Sequence, residues 1–186
     1  METLDAILSR VSQGKLVEPA PDAAALEKAF ACALRAPDHR VLRPWRYLLL
    51  RGDALRQLGE VFVDASRAAN PGLDAVEVER LRKMPLRAPL IVVVVTVHKP
   101  DPKVPDEELL LSTGAAVQNF MLALHDQGYA TMWRTGPLGQ APLVRAALGL
   151  NGQETISGFI YAGTAAGEPR RIVHLPVGDF VSEWNG

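Results

Sequence analysis

The chain has 186 residues, and its 48% apolar and 22% charged residues are typical of one folded domain rather than of a disordered chain. Its 20 lysine and arginine residues are balanced by 21 aspartate and glutamate residues, so we expect no nucleic-acid partner. The single cysteine excludes a disulfide within the chain and favours a reducing compartment.

The predicted elements follow one another in an order typical of an α+β protein. Apolar spacing, capping residues and turn residues define them. In chain order they are a helix over 4–10, a helix that begins at the Asp22 N-cap and stops before Pro37, a strand over 45–50, helices over 54–69 and 74–83, a strand over 90–97, a helix over 107–127, a strand over 129–135, a helix over 141–148 and a strand over 155–162. Cys32 lies inside the second helix, where we expect a small buried hydrophobe rather than a nucleophile.

Three apolar segments indicate how these elements pack. The β-branched run over 90–97 is typical of a strand that is buried on both faces of a sheet. The helix over 107–127 is apolar on nearly every side and ends at Gly128, so it must be a central helix or be shared with a partner subunit. The tail over about 165–186 has little helical pattern but many apolar residues, and we expect it to wrap around a second subunit.

Nothing in the sequence predicts a membrane protein or a secreted one. No cationic segment followed by an apolar one opens the chain, so we expect no signal peptide. The longest apolar run, over 89–97, is far too short to cross a bilayer as a helix. We therefore expect a cytoplasmic protein whose residues 1–186 form a single domain.

Several common kinds of catalytic site lack their sequence patterns. The chain has neither the glycine-rich loop of dinucleotide-binding folds nor that of P-loop proteins. The four histidines lack the spacing of zinc ligands, and no serine lies in a Gly-x-Ser-x-Gly motif. The sequence therefore predicts neither a metal site nor acyl transfer.

Three polar segments are candidates for a binding site, and each has a structural alternative. Arg10-Val11-Ser12, followed by Lys15, offers donors that suit a phosphate, although Arg10 could simply complete a helix dipole. The corner Arg35-Ala36-Pro37-Asp38-His39, followed by Pro44-Trp45, joins a helix to a strand, where ionisable side chains converge on a ligand or are merely solvated. Trp133-Arg134-Thr135-Gly136 ends a later strand, where Trp133 and Arg134 offer an aromatic ring and a positive charge to a ligand. The structural alternative is that Trp133 is only an aromatic residue at the edge of the sheet.

Taken together and in this order, the three segments resemble those of the FMN-dependent nitroreductase family, and the similarity runs from the first helix to about Gly163. The resemblance implies an α+β subunit with a mixed central β-sheet flanked by helices. It also implies an obligate homodimer, with the long central helix at the dimer interface and the C-terminal tail wrapping the partner. Two FMN molecules would then lie between the subunits.

The resemblance assigns cofactor-binding positions residue by residue. Arg10, Val11 and Ser12 would lie along the ribityl phosphate of FMN, and Arg35 and His39 would approach the same flavin from the partner chain. Trp133, Arg134 and Thr135 would line its isoalloxazine and phosphate side. The segment implied to contribute to NAD(P)H binding consists of Ala123, Leu124, His125, Asp126, Gln127 and Gly128.

Three positions depart from the family's pattern. Val11 stands where the short branch of the family usually has a second arginine, so one phosphate contact is missing. Val41 and Arg43 stand near an asparagine and a glutamine of the wider family, which removes expected contacts with the flavin edge. Arg170 and Arg171 in the tail could supply a substitute cation.

The resemblance implies an NAD(P)H-dependent FMN oxidoreductase that passes two electrons by a ping-pong mechanism to a nitroaromatic, a quinone or an unknown small-molecule acceptor. Lys15 or Arg134 would provide positive charge beside the reduced flavin, and no catalytic side chain is needed because solvent can supply the proton. Two alternatives stay open. One is a flavin enzyme of different chemistry, such as dehalogenation or flavin breakdown, and the other is a flavin-binding protein without NAD(P)H turnover.

Overall fold

The structure, a computed structural model, describes residues 1–168 and 170–186. Every predicted helix and strand is present within a few residues, and the two-residue strand β1 was not predicted. The helices are α1 (Thr3–Ser9), α2 (Ala23–Ala33), α3 (Asp53–Ala69), α4 (Ala75–Lys83), α5 (Asp106–Asp126) and α6 (Pro142–Ala147). The strands are β1 (Leu16–Val17), β2 (Trp45–Arg51), β3 (Leu90–Val97), β4 (Ala130–Arg134) and β5 (Glu154–Ala165).

β5 is the central strand of the sheet. It pairs with β3 on one side and with β4 on the other, and its last residues pair with β1. β2 extends the sheet beyond β3. These strand pairings are antiparallel, whereas an isolated bridge between Ser12 and Thr131 is parallel. The predicted α+β class with a mixed central sheet is therefore confirmed.

β3 is buried on both faces, as its β-branched sequence predicts. Residues 90–95 have no exposed surface. Side chains alternate along a strand, so the odd-numbered residues of this run pack in one core with α3 and α4, and the even-numbered ones pack in another with α2 and α5. The sheet thus lies between two layers of helices.

α2 and α5 lie side by side and run in opposite directions. Near the C-terminal end of α5, Gln127 donates a hydrogen bond to the carbonyl of Ala25 at the start of α2, at 3.2 Å. Further back, Asn119 donates to the carbonyl of Cys32 near the end of α2, also at 3.2 Å. α5 has 21 residues and is therefore about 30 Å long. The corner that follows α2 and the segment that follows α1 consequently lie at opposite ends of α5.

One chain leaves the outer side of this helical layer uncovered. On α5, Phe120 and Leu124 are fully buried, whereas Leu110 and Leu111 are 53% and 72% exposed. α5 is therefore not covered on all sides within its own chain, and a helix shared with a partner stays a prediction. Trp184 in the tail is 91% exposed. No helix in the described part of the chain has the length and apolar character needed to cross a membrane.

The prediction that Cys32 is buried was wrong, because its side chain is exposed. α2 packs against α5 through Leu26, Ala29 and Ala33, which are buried. Cys32 lies outside this buried stripe, where small apolar neighbours in the sequence do not imply burial in the same chain.

Candidate functional site

The segment that follows α1 lies beside β4 at the edge of the sheet. Ser12 bridges to Thr131, and the amide of Gln13 donates to the Thr131 carbonyl at 3.1 Å. Arg10 precedes this pair, and its Nη1 is buried without a hydrogen-bond partner among the described residues. Leaving a buried donor unpaired costs about 1–3 kcal/mol, and more for a charged group. Arg10 is therefore well placed to bind an anion.

A cavity of about 290 Å³ opens beside Arg10, between the ends of α1 and α5 and the start of β4. Val11, His125 and Tyr129 line it together with Arg10. The cavity has room for a group of the size of a phosphate. The apolar side chain of Val11 stands where an arginine would add a second cation.

A larger cavity of about 670 Å³ lies at the other end of β4, where the strand leads into the turn 135–140. It is lined mainly by apolar and aromatic side chains of α3, α4, β4 and β5, including Phe62, Leu81, Met132, Phe159 and Tyr161. Clefts of this size and character commonly bind flat organic ligands. Three residues that were predicted to bind the cofactor line this cavity, namely Trp133, Arg134 and Thr135.

Arg134 adds positive charge to this larger cavity. Its guanidinium lies over the ring of Tyr161, 5.5 Å from the ring centre, which is a cation–π geometry. Burial raises the pKa of Tyr161, and the neighbouring Arg134 and Arg87 oppose that rise. Tyr161 therefore stays a neutral phenol at physiological pH, and Arg134 keeps its charge available for a ligand.

Trp133 is held in place by an irregularity in β5 that sequence reasoning did not assign to the site. The pairing of β5 with β3 shifts by one residue between Gly158 and Ile156, so Ser157 forms a bulge. The indole Nε1 of Trp133 donates to the Ser157 carbonyl at 3.2 Å. Gly158 has a φ of +148°, and a Cβ there would collide with Nε1 and lie 2.7 Å from Cδ1 of Trp133. A glycine inside a predicted strand was the available signal for such a bulge.

The segment 10–15 connects the two cavities. Ser12 lies beside Thr131, and a Cβ at Gly14 would lie 3.9 Å from the sulfur of Met132, which lines the larger cavity. The same Cβ would lie 3.4 Å from Nη2 of Arg170. The tail therefore brings a cation to this segment, and its role as a substitute phosphate contact stays a prediction.

The corner after α2 forms a separate polar cluster at the N-terminal end of α5. His39 Nδ1 lies 2.7 Å from Glu108 Oε2 on α5, and Asp38 Oδ2 accepts the amide of Arg43 at 2.6 Å. Arg35 is exposed. Arg40, Val41 and Arg43 have φ values of +60°, +54° and +51°, which are unusual for residues with side chains.

Within one chain, the corner and the Arg10 segment do not form one site. Arg35 and His39 do not reach Arg10, because the length of α5 separates the two segments. Asp38 and His39 line one shallow pocket together with Glu108, whereas Arg35 is not among its lining residues. The convergence of Arg35, Asp38 and His39 on a ligand stays a prediction.

The segment 123–128, predicted to contribute to NAD(P)H binding, ends α5. Leu124 is fully buried, and Gln127 donates to the carbonyls of Ala25 and Ala123. Asp126 pairs with the N-terminal ammonium at 2.8 Å. These side chains are thus occupied by contacts within the chain. Of the segment 123–128, His125 and Gly128 line the smaller cavity. The NAD(P)H assignment stays a prediction.

Among the described residues, no three histidine, cysteine, aspartate or glutamate side chains cluster as metal ligands would. The described site is thus made of one cavity lined by the partly buried cation Arg10, one large apolar cavity with aromatic side chains on its wall, and a strand edge that joins them. This arrangement suits an elongated ligand with an anionic group at one end and a flat ring system at the other.

Comparisons with known proteins are in line with this geometry. The family model described as the nitroreductase family matches residues 7–164. The chain is 34% identical over 176 residues to "Putative NAD(P)H nitroreductase YdjA" of Escherichia coli K12, with 95% of each chain covered. It is 33% identical over 177 residues to a protein of similar description from Haemophilus influenzae, with 92% of each chain covered.

Solved structures share the fold. A nitroreductase-like family protein from Bacillus cereus superposes with a TM-score of 0.85 at 23% identity, covering 100% of this chain and 97% of the other. A protein described as the FMN and NADPH-dependent nitroreductase NfnB, from Sphigopyxis sp. strain HMH, superposes with a TM-score of 0.79 at 17% identity, covering 100% of each chain.

Proposed function

The chain belongs to the nitroreductase family of oxidoreductases, and we propose that it is an NAD(P)H-dependent FMN oxidoreductase that works as a homodimer. The observation that carries the cofactor assignment is Nη1 of Arg10, which is buried without a hydrogen-bond partner among the described residues and lies at one end of a strand edge that leads to a large apolar cavity. A flavin mononucleotide has a phosphate at one end, a flat ring system at the other and a flexible linker between them. Each part has a matching surface on this chain.

The residues would hold the cofactor in the following way. Arg10 and Ser12 would bind the phosphate, and the backbone of 12–14 would follow the ribityl chain along β4. Trp133 and the turn after it would form a wall for the ring. Arg134, and Lys15 from the other side, would provide positive charge where reduction places negative charge. The bound cofactor supplies the acceptance of a hydride from NAD(P)H and the delivery of two electrons to an acceptor.

The chain's own task is to bind, orient and shield rather than to exchange protons. Tyr161 lines the larger cavity with a pKa raised by burial, but we assign it no proton transfer because solvent can provide the proton. NAD(P)H and the acceptor would use the same apolar cavity in turn, so we expect ping-pong kinetics. A small nitroaromatic or quinone is the acceptor class that an apolar, aromatic cavity favours.

The dimer is proposed because one chain leaves the site incomplete. Arg35 and His39, implied by the family resemblance to contact FMN, lie about one length of α5 away from Arg10 of the same chain. A second subunit packed along the exposed side of α5 could bring its own copies of these two residues to the flavin. Leu110, Leu111 and the apolar tail would then be covered, and the interface should exceed about 2,000 Å².

One experiment tests cofactor, assembly and turnover on the same sample. The full chain, reconstituted with FMN, is sedimented at micromolar concentration while the visible absorbance of the flavin is recorded. We expect the flavin to sediment with a dimer, and NADH or NADPH to bleach it without oxygen while free FMN under the same conditions stays oxidised for longer. Flavin that sediments alone, or a folded monomer, would refute the corresponding part of the proposal. Bound FMN that neither nicotinamide bleaches would indicate a flavin-binding protein without turnover.

Val11→Arg is expected to tighten FMN binding by about tenfold. Val11 lines the cavity beside Arg10, and a charge-assisted hydrogen bond contributes roughly 1.5–3 kcal/mol, where about 1.4 kcal/mol corresponds to a factor of ten. The dissociation constants of the two proteins can be compared by quenching of flavin fluorescence. The gain should shrink with added salt, because the contact is ionic. Riboflavin, which has no phosphate, is the control, and an equal gain with riboflavin would contradict the placement of the phosphate beside Val11.

A further inference from the structure

The last turn of α5 brings a titratable group to the cavity of Arg10. His125 lines this cavity, and its Nε2 lies 2.9 Å from Ser9 Oγ. The hydroxyl of Ser9 has one proton to donate. Its two possible acceptors besides His125 are the carbonyl of Asp5 at 2.5 Å and the sulfur of Met1 at 3.8 Å, so the proton goes to Asp5. Ser9 must then accept its other hydrogen bond from His125. The neutral imidazole therefore carries its proton on Nε2, and Nδ1 is the nitrogen that gains a proton when the ring becomes cationic.

Burial and the charge of Arg10 favour the neutral form of the His125 ring. Burial, followed by the positive charge of Arg10, lowers the pKa of His125 below its ordinary value of 6.5, and Asp126 opposes this shift. Asp126 is itself paired with the N-terminal ammonium of Met1 at 2.8 Å. Tyr129 is the other titratable side chain that lines the cavity. An anion placed between Arg10 and His125 would reverse the balance, because it favours the cationic ring.

The cavity needs a second cation if it is to hold a phosphate dianion. Arg10 is the only arginine or lysine among the described residues that line it, and Val11 adds no charge. Met1 also lines the cavity, but its N-terminal ammonium is already paired with Asp126 at 2.8 Å. A phosphate dianion with one cationic partner remains incompletely neutralised in a partly buried cavity. A histidine that becomes charged only when the anion arrives can supply the missing partner without leaving two unpaired cations in the free protein.

We infer that His125 is a second phosphate-binding residue, which takes up a proton when the phosphate of FMN binds beside Arg10. This inference rests on the proposed function and assigns His125 to the phosphate rather than to NAD(P)H. It predicts that FMN binds more tightly as the pH falls through the pKa that His125 has in the complex. The dependence follows from the sign of the linkage, since the bound state holds more protons than the free state.

His125→Gln tests the inference, because glutamine can still donate a hydrogen bond to Ser9 but cannot become charged. The dissociation constants of FMN and riboflavin are measured for the wild type and the variant at pH 6 and pH 8. At pH 6 we expect the variant to bind FMN about tenfold more weakly than the wild type, and at pH 8 the difference should nearly vanish. Riboflavin should show no difference at either pH. Proteins are compared at equal pH because the phosphate itself titrates near pH 6.

Titration calorimetry in two buffers of different ionisation enthalpy gives an independent readout. The wild type should take up more protons per FMN bound at neutral pH than the variant does. Equal FMN affinity of the two proteins at pH 6 would overturn the inference and leave the proposed function intact. An equal loss of affinity for riboflavin would also overturn it, because it would assign His125 to the packing of α1 on α5. A wild type that binds no FMN at either pH would overturn the inference and the proposed function together.

Discussion

Glu154→Ala is expected to lower the free energy of unfolding by about 3 kcal/mol. Glu154 begins β5 and is only 4% exposed, and its carboxylate accepts hydrogen bonds from Arg46 Nε at 2.5 Å and Nη2 at 2.9 Å. It also accepts the amide of Asn151 at 3.0 Å. Removing one partner of a buried ion pair costs roughly 3–5 kcal/mol. We expect a cost at the lower end of this range, because the side chain of Arg46 is 34% exposed and can recover some hydration.

Urea unfolding of the wild type and the variant at neutral pH provides the measurement. Arg56→Ala, which breaks the exposed pair of Arg56 and Asp53 on α3, is the matched control and should change little. The hydrogen bonds from Arg46 lower the pKa of Glu154 below its ordinary value of 4.5, so its stabilising effect is present above that value and is lost as the pH falls through the lowered pKa. The difference in the free energy of unfolding between the wild type and the variant should therefore become smaller at acidic pH. A difference that stays constant to low pH would show that the carboxylate charge is not the cause.

The parts of the fold that could be predicted from the sequence are those with strong local patterns. The β-branched side chains of β3 point to both faces of the sheet and must be buried on both. The structure has an apolar core on each face. The length of α5 and its end near Gly128 also follow from local spacing and capping. Burial of a single residue depends on which neighbours arrive from elsewhere in the chain. Cys32 shows this limit, because the face of α2 that meets α5 is set by the whole stripe of apolar residues and not by the nearest ones.

The sequence predicted which types of residue belong to the candidate site, but not how they are arranged in space. Arg10 and Trp133 were recognised from their chemistry at the ends of elements, and each lies on the wall of a cavity. Their connection depends on the pairing of Ser12 with Thr131, a contact between segments that are more than a hundred residues apart. Local patterns carry no information on such a pairing. The same holds for His39, whose separation from Arg10 follows from the antiparallel packing of α2 and α5.

Gly158 is a further residue on which the site depends and which has no recognisable functional chemistry. Its contribution is the space left by a missing side chain. The bulge at Ser157 turns a carbonyl towards the indole of Trp133, and the absence of a side chain at Gly158 lets the indole approach the backbone of β5 closely. Trp133 remains 37% exposed and lines the larger cavity. A positioning role of this kind is recognised only when the backbone and the indole are seen together.

Gly158→Ala should therefore weaken FMN binding by about tenfold and also destabilise the fold. The new Cβ would collide with Trp133 Nε1 and lie 2.9 Å from the carbonyl of Arg134, and alanine is strained at a φ of +148° by roughly 1–3 kcal/mol. The indole must then leave its place, and the loss of an aromatic contact with the flavin ring accounts for roughly a factor of ten. FMN affinity, measured under conditions where both proteins are fully folded, separates this effect from the loss of stability.

A double-mutant cycle with Trp133→Ala shows whether Gly158 acts through the indole. If it does, Gly158→Ala should change FMN affinity by less than about twofold once Trp133 is already alanine, because there is no indole left to displace. The cost in stability should persist in the double variant, since the backbone strain at Gly158 does not depend on Trp133. Equal losses of FMN affinity with and without Trp133 would show that the bulge acts on the cavity by another route. A Gly158→Ala protein that binds FMN as the wild type does would mean that the indole has no part in holding the flavin ring.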